Sequence, residues 1–444
     1  MRSGVAVLLL TAGGFRVCPN PRSVQALREH LERQGAELTR LRVAAVDGSS
    51  HAREERGVFA ASAISTGEVL AQVPQSCVWS AASARQSAYG QAFAEVFPEG
   101  KDKMVFLLDL MAARLDEKHP RHAYASALPK QPPTPMAWPE NLRTMLSGTN
   151  LGAAVAEERE ELEKDFASVM PKLQSARPEL FSKDFTFEVF LWAHGMWFSR
   201  RYPTALGAID QPKDYRWQRS SEEEMEEESD GEGVLVPFMD FTNHRSGTKI
   251  VWQADVEKVS FITNEGVPAA AEVFNHYGDK SNEDLMLIHG FALLDNLYDT
   301  YGLWLTVKVS DEPTAKRRRR AVRTERLGPF HLRRSDARWK EFPSELWQAL
   351  SAGSAGNEHL RSLSQLLRER LEDFQATQTR DRHFAAGGAA EAGDVDVRIR
   401  YIARYRDGQR QVLQDCTKAL EEMLAKVSQE AAPAEAAPVS ALPE

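Results

Sequence analysis

Val234-Leu235-Val236-Pro237-Phe238-Met239-Asp240-Phe241-Thr242-Asn243-His244 runs from an apolar, strand-like segment straight into a polar pair. An amide and an imidazole placed directly after a buried strand must satisfy their donors and acceptors inside a core. Taken alone, Asn-His reads as a turn pair, because asparagine favours turns. Two further elements follow downstream. Tyr277-Gly278, then Lys280-Ser281-Asn282-Glu283, comes directly after the strand-like Glu272 to Phe274, and Gly290-Phe291 comes a short helix later. Tyr277 at a strand end can project its phenol into a cleft, or serve as a core aromatic with its hydroxyl satisfied. Phe291 offers a π-face that suits a cation, or simple packing.

Outward from this centre, β-type runs are predicted at Val234 to Met239, Thr248 to Trp252, Val259 to Thr263 and Glu272 to Phe274. Far upstream, Val58 to Ala60 and Glu68 to Val73 flank the turn Ile64-Ser65-Thr66-Gly67 and read as a small hairpin, with Pro74 ending the second run. Between the two β regions, residues from about 95 to 200 show helical spacing, with Phe106, Leu107, Leu110 and Met111, then Leu162, Phe166 and Val169. A β-rich domain spanning 23–305 is therefore split by a helical insertion. The segment from Glu222 to Glu232 holds eight acidic residues and no basic one, which predicts a solvated loop over 221–233. Beyond about Thr306 two long amphipathic patterns appear, Leu360, Leu363, Leu367, Leu371, Phe374 and Ile402, Tyr405, Val412, Leu413, Cys416, Leu420, Met423. They predict an all-α domain over 306–430, followed by an Ala/Pro/Glu tail over 431–444. Folded structure is predicted to begin with the helical pattern Val24, Leu27, Leu31, leaving 1–22 as a targeting segment or an unstructured arm.

Hydrophobic residues are 42% and charged residues 27% of the 444, enough apolar material for a sizeable core, which excludes a chain disordered throughout. The longest apolar run is Val5 to Leu10, far short of the roughly 18 residues that span a bilayer, so no membrane partner is expected. Cys18, Cys77 and Cys416 are scattered, so neither a disulfide framework nor a thiolate zinc cage can be assembled, and no metal is expected. A net charge of -9 argues against broad nucleic-acid binding. Lys316 to Arg320 is the exception, five consecutive cations that read as a solvated linker, a nuclear-localisation patch or a dock for an acidic partner.

Three segments together resemble the SET methyltransferase domain: Glu54-Glu55-Arg56-Gly57-Val58, Asp240-Phe241-Thr242-Asn243-His244, and Tyr277-Gly278 with Lys280-Ser281-Asn282-Glu283 and Gly290-Phe291. The likeness is to the Rubisco large-subunit methyltransferase branch, which includes an actin-histidine methyltransferase, and runs from about Val24 to Val427. It implies an α+β architecture: a β-rich SET domain with a knot-like cofactor site, a helical insertion, and an all-α C-terminal domain on which the protein substrate docks. It implies S-adenosylmethionine as cofactor, held by Glu54, Arg56, Gly57, Arg200, Asp240, Asn243 and His244. Asn243 would reach the cofactor's amino group and Arg200 its carboxylate, for which a planar guanidinium fork is suited. Tyr277 would be catalytic, and Tyr202, Tyr277 and Phe291 would line the target side-chain channel.

One residue departs from the family pattern: the first glycine of the glycine-x-glycine beside the cofactor is Glu55. The resemblance implies a protein N-methyltransferase. Tyr202 looks like the aromatic of lysine-modifying relatives, whereas the histidine-modifying relative has an amide there, so lysine is the expected target and histidine the alternative. A SET protein without activity that binds partners is the rival from another class, motivated by Glu55. Cytoplasm or nucleus is the expected compartment, with a plastid the alternative that residues 1–22 leave open. Replacing Tyr277 with phenylalanine is expected to alter folding by less than about 1 kcal/mol.

Overall fold

The computed structural model describes residues 21–45, 56–207, 211–220, 233–310, 322–333, 342–351, 358–375, 377–385 and 396–430. Glu54 and Glu55, the acidic segment 221–232, Lys316 to Arg320, and the ends before 21 and after 430 lie outside the described residues.

Ten strands are described: β1 (Leu41–Ala45), β2 (Arg56–Ala60), β3 (Val69–Pro74), β4 (Arg216–Ser220), β5 (Asn243–His244), β6 (Ile250–Asp255), β7 (Lys258–Thr263), β8 (Glu272–Asn275), β9 (Thr300–Ser310) and β10 (Val322–Arg333). They form two four-stranded sheets, ordered β1-β2-β8-β5 and β3-β7-β6-β4, and the hairpin β9-β10. Only β5 against β8 is parallel, with Asn243 opposite Phe274 and His244 opposite Asn275. The polar pair is thus threaded as a two-residue edge strand beside the strand that delivers Tyr277.

Three sequence expectations are corrected. β2 and β3 do not form a hairpin: β2 pairs with β1 and β8, and β3 pairs with β7. The connection between them is instead drawn off by a bridge from Ile64 to Val267. Val234 to Met239 is not a strand. Val234 and Leu235 make single bridges to Tyr202 and Trp79, after which Pro237 offers no N–H and Phe238 takes φ 74°, ending any ladder before the turn Met239–Phe241. The C-terminal region is not all helical, since it opens with the β9-β10 hairpin.

The insertion is helical as expected but begins earlier, at Ala81–Arg85, and runs through Asp102–Leu115, Asn150–Ala176 and Phe187–Arg200. Asp102–Leu115 is buried on every face from Met104 to Ala113, which is the pattern of a central helix. Its one buried carboxylate, Asp109, accepts from Trp79 Nε1 at 2.9 Å and pairs with His119 Nε2 at 3.1 Å. Thr186 caps Phe187–Arg200 by accepting the Val189 N–H, so this helix begins at a defined point and ends on the Ser199-Arg200 pair.

Two apolar cores result. The larger holds both four-stranded sheets and the insertion; the smaller holds Tyr301, Leu303 and Leu305 of β9 with Leu360, Leu363, Leu367, Phe374, Val412, Leu413, Cys416 and Leu420. A boundary at 305/306 would cut through β9, and we place the division before Thr300. The helix Val397–Glu430 joins the two cores, burying Ile402 and Tyr405 in the larger and Val412 onward in the smaller. At 1.5 Å per residue its 34 residues span about 50 Å, so it acts as a shaft between the domains. No helix among the described residues is long and apolar enough to cross a membrane.

Candidate functional site

Tyr277 leaves the end of β8 half-buried and reaches back to the turn before β5. Its hydroxyl donates to Thr242 O at 2.7 Å and its backbone N–H donates to His244 Nδ1 at 3.1 Å. The same turn is held from below, where Met239 O accepts from Tyr202 Oη at 3.0 Å and Thr242 Oγ1 at 2.6 Å. Burial pushes the Tyr277 phenol up to about 12, so it stays protonated at neutral pH. Because its proton goes to Thr242, its oxygen lone pairs remain to accept a bond from an incoming group.

Asn243 is oriented without ambiguity. Its Nδ2 donates to Arg56 O at 3.0 Å and to Glu272 Oε1 at 2.7 Å, two groups that can only accept, so the nitrogen must face them. Its Oδ1 has no partner among the described residues and is left as an acceptor. Gly57 packs on this pair: a Cβ there would lie 2.3 Å from Glu272 Oε1. A side chain at this position would push the end of Glu272 aside.

Arg200 ends its helix against the same turn. Its Nη1 donates to Asp240 O at 2.8 Å and reaches Asp240 Oδ2 at 3.3 Å, while Tyr124 Oη donates to Oδ2 at 2.8 Å. Asp240 is fully enclosed, and burial raises its carboxyl above the ordinary range against the lowering effect of Arg200. Its side chain therefore anchors Arg200 from behind. The Arg200 Nε is buried and has no partner among the described residues. With Nη1 engaged, the Nε/Nη2 edge has the shape that a carboxylate takes. Arg56 points inward, its guanidinium 3.7 Å above the Phe241 ring and Nη1 on Ala127 O, so its contribution to this turn is the carbonyl that holds Asn243.

Four half-buried rings line the cleft beside Tyr277 Oη. His289 lies 4.5 Å from Tyr277 between ring centroids, His244 5.3 Å and Phe291 6.3 Å in an edge arrangement. Burial lowers His244 to about 4 and His289 to about 3, so both are neutral at pH 7. His289 Nδ1 bonds Ser199 O at 3.0 Å; a carbonyl only accepts, so Nδ1 carries the proton. The rings themselves are uncharged at neutral pH, and the desolvation that lowers both histidines also disfavours a protonated amine beside them. Gly290 positions Phe291: it has φ 78°, and a Cβ there would meet Pro133 O at 2.0 Å. Tyr202 lies deeper than expected for a channel wall, buried with its ring edge-on to Trp252 and Phe261 and its hydroxyl also accepting from Asn275.

The structure therefore brings Arg56, Gly57, Arg200, Asp240, Asn243, His244, Tyr277 and Phe291 to one turn and one cleft. Tyr124, Glu272 and His289 belong to the same cluster and were not singled out from sequence. His289 stands directly before Gly290-Phe291 and was within reach of that motif. Tyr124, 116 positions from Asp240, carried no local signal. Glu283, from the motif after Tyr277, turns away from the cleft and accepts from Tyr405 Oη of the long helix at 3.0 Å. Among the described residues, no group of His, Cys, Asp and Glu could hold a metal ion.

Asn243 Oδ1 and the Arg200 fork hang on one turn, an acceptor and a cationic donor. They fit the α-ammonium and α-carboxylate of an amino-acid group, such as that of S-adenosylmethionine.

No protein-family model matches the chain. It is 29% identical over 195 residues to ribosomal lysine N-methyltransferase set10 of Schizosaccharomyces pombe, covering 43% of this chain and 31% of that protein. It is 26% identical over 243 residues to N-lysine methyltransferase setd6 of Xenopus laevis, covering 53% of this chain and 50% of that protein. Actin-histidine N-methyltransferase of Drosophila melanogaster is 30% identical over 115 residues, 23% of this chain and 21% of that protein. The matches to the first two curated relatives thus span between about a third and half of their lengths. Among solved structures, the SET domain of LSMT bound to lysine and AdoHcy superposes with a TM-score of 0.69 at 18% identity, covering 92% of this chain and 93% of that one. Rubisco LSMT bound to AdoMet superposes at 0.67 with 19% identity and the same coverage. At such identities the likeness shows the fold, and it extends over nearly all of both chains: this chain has the fold of the LSMT SET-domain structures.

Proposed function

We propose that the chain is an S-adenosylmethionine-dependent protein N-methyltransferase acting on lysine. The observation that carries this is the fixed amide of Asn243, with both N–H groups spent and Oδ1 open, on the turn that Arg200 grips and Tyr277 faces. The lysine methyltransferases among its relatives, and neighbours solved with AdoMet and with lysine, support the same reading.

When bound, S-adenosylmethionine supplies an electrophilic methyl group. The protein's task is to present a neutral amine in line with it. At pH 7, removing the proton from a lysine of pKa about 10.4 costs roughly 4 to 5 kcal/mol. His244, Tyr277 and His289 are strongly desolvated, and the same desolvation disfavours the ammonium form of an amine held beside them. Tyr277 Oη, its hydrogen committed to Thr242, accepts an N–H of the amine and so turns the nitrogen lone pair toward the reacting carbon. The protein substrate is read by the helical domain, which the shaft helix ties to this cleft through Tyr401 beside Phe291, 6.4 Å between ring centroids, and Tyr405 on Glu283.

The test is transfer of a labelled methyl group from AdoMet to proteins of a cell extract, followed by mass spectrometry of the labelled residue. The Tyr277→Phe protein should bind AdoMet as the wild type does, yet turn over at least about a hundredfold more slowly at saturating AdoMet. The loss of the 2.7 Å bond to Thr242 should also cost about 1 to 2 kcal/mol of stability, more than the sequence alone suggested. A wild-type chain that does not bind AdoMet, or label found on histidine, would overturn the assignment.

A further inference from the structure

The Asn243 amide has two chemically opposite ends of almost the same shape, and its value to a cationic ligand depends on which end faces the cleft. Two neighbours decide this. Arg56 O, at 3.0 Å from Nδ2, is a backbone carbonyl at the start of β2. Glu272 Oε1, at 2.7 Å, is the shorter contact and belongs to the first residue of β8. A flipped amide would set Oδ1 against both acceptors. The Glu272 carboxylate is half-buried and lies between Asn243 and Gly57, where a Cβ would lie 2.3 Å from its Oε1.

We propose that Glu272 is a positioning residue for the cofactor: it holds the Asn243 amide so that Oδ1 faces the α-ammonium group. The inference rests on the methyltransferase reading. The carboxylate fixes the amide through a charge-assisted bond. Burial raises the Glu272 carboxyl, while the Asn243 bond and Arg245 oppose the rise and favour the charged form. Gly57 is the third member of the device. A Cβ at Gly57 would lie 2.3 Å from Glu272 Oε1, so a side chain there displaces the carboxylate from the amide.

Calorimetry with two probes tests this. AdoMet carries the ammonium; 5′-methylthioadenosine shares its nucleoside and sulfur but lacks the whole amino-acid group. Glu272→Leu should weaken AdoMet at least roughly tenfold and leave 5′-methylthioadenosine affinity unchanged. Glu272→Gln, whose amide oxygen can still accept from Nδ2, should recover most of the AdoMet affinity. Gly57→Ala leaves Glu272 in the chain but wedges a methyl into the flexible end of its side chain, so it should show the same selective loss. Asn243→Ala combined with Glu272→Leu should bind AdoMet no more weakly than Asn243→Ala alone. Equal AdoMet affinity in the Leu variant, or an equal loss for both probes, would overturn the proposal. A wild type that binds neither probe would instead sink the cofactor reading and the proposal with it. If circular dichroism shows Glu272→Leu unfolded, the Gly57→Ala comparison decides alone.

Discussion

Glu283→Gln should make the protein more stable above pH 7 and leave it unchanged near pH 4.5. Glu283 follows Asn282 and turns toward the long helix, its carboxylate accepting from Tyr405 Oη at 3.0 Å. The same hydroxyl receives the Leu151 N–H at 3.3 Å, so one oxygen joins the SET segment, the insertion and the shaft helix. Burial, aided by Asp284 and Asp299, pushes Glu283 from its ordinary 4.5 up to about 7, with the Tyr405 bond opposing. A raised carboxyl binds its proton more tightly folded than unfolded. Its contribution to stability is therefore complete below about 4.5 and lost as pH rises to about 7, a difference of roughly 3 kcal/mol. Glutamine has the same shape, still offers an oxygen to Tyr405 and does not titrate. The difference between the two proteins isolates this one group, because His244 and His289, with folded values depressed to about 4 and about 3, bend the wild-type curve the other way as pH falls below 6.5. Thermal melts at pH 4 and pH 8 should show the variant ahead by roughly 3 °C at the higher pH and nearly level at the lower. A variant no more stable than wild type at pH 8 would mean that Tyr405 and the helix start at Leu151 already stabilise the carboxylate as well as water does.

Arg200→Gln should cost about 3 kcal/mol or more, because it leaves the enclosed Asp240 carboxylate with Tyr124 alone. Adding Asp240→Asn should restore most of the melting temperature but none of the AdoMet affinity, which separates packing from binding. Gly290→Ala should destabilise by at least about 1 to 3 kcal/mol, since φ 78° and the Pro133 carbonyl both refuse a methyl; an unchanged melting curve would show that the Phe291 loop is not fixed by this glycine.

The fold was legible where side chains announce their environment. Leu360, Leu363 and Leu367 on one helix, and Ile402, Tyr405, Val412 and Leu413 on the next, are buried as their spacing predicts. The β9-β10 hairpin was missed although Leu303, Leu305 and Val307 alternate with Trp304 and Thr306, because the basic run after it and the leucine-rich helices beyond dominate the composition. The expected hairpin of β2 and β3 failed for a topological reason. A turn signal marks where a chain reverses but not which strands it reverses between, and β1, β7 and β8 were better partners. Likewise an apolar run of the Val234 type cannot tell a strand from a buried connection when a proline interrupts it.

At the site, motifs located the residues but not their duties. Asn243, Arg200 and Tyr277 were named from the family resemblance and not from local context, and what each does is fixed by partners far away in the chain: Arg56 O at 187 positions from Asn243, Asp240 at 40 from Arg200, Thr242 at 35 from Tyr277. Those partners change the chemistry. Asp240, expected at the cofactor, is enclosed and steadies Arg200; the Tyr277 hydroxyl, spending its hydrogen on Thr242, becomes an acceptor at the cleft. Hydrogen-bond polarity is what turns a residue type into a role, since each donor can be spent only once. A sequence lists the donors and acceptors without showing which are spent. The fold spends the Asn243 and Tyr277 hydrogens on inward-facing acceptors, and what each side chain has left is an oxygen lone pair, an acceptor for an amino group.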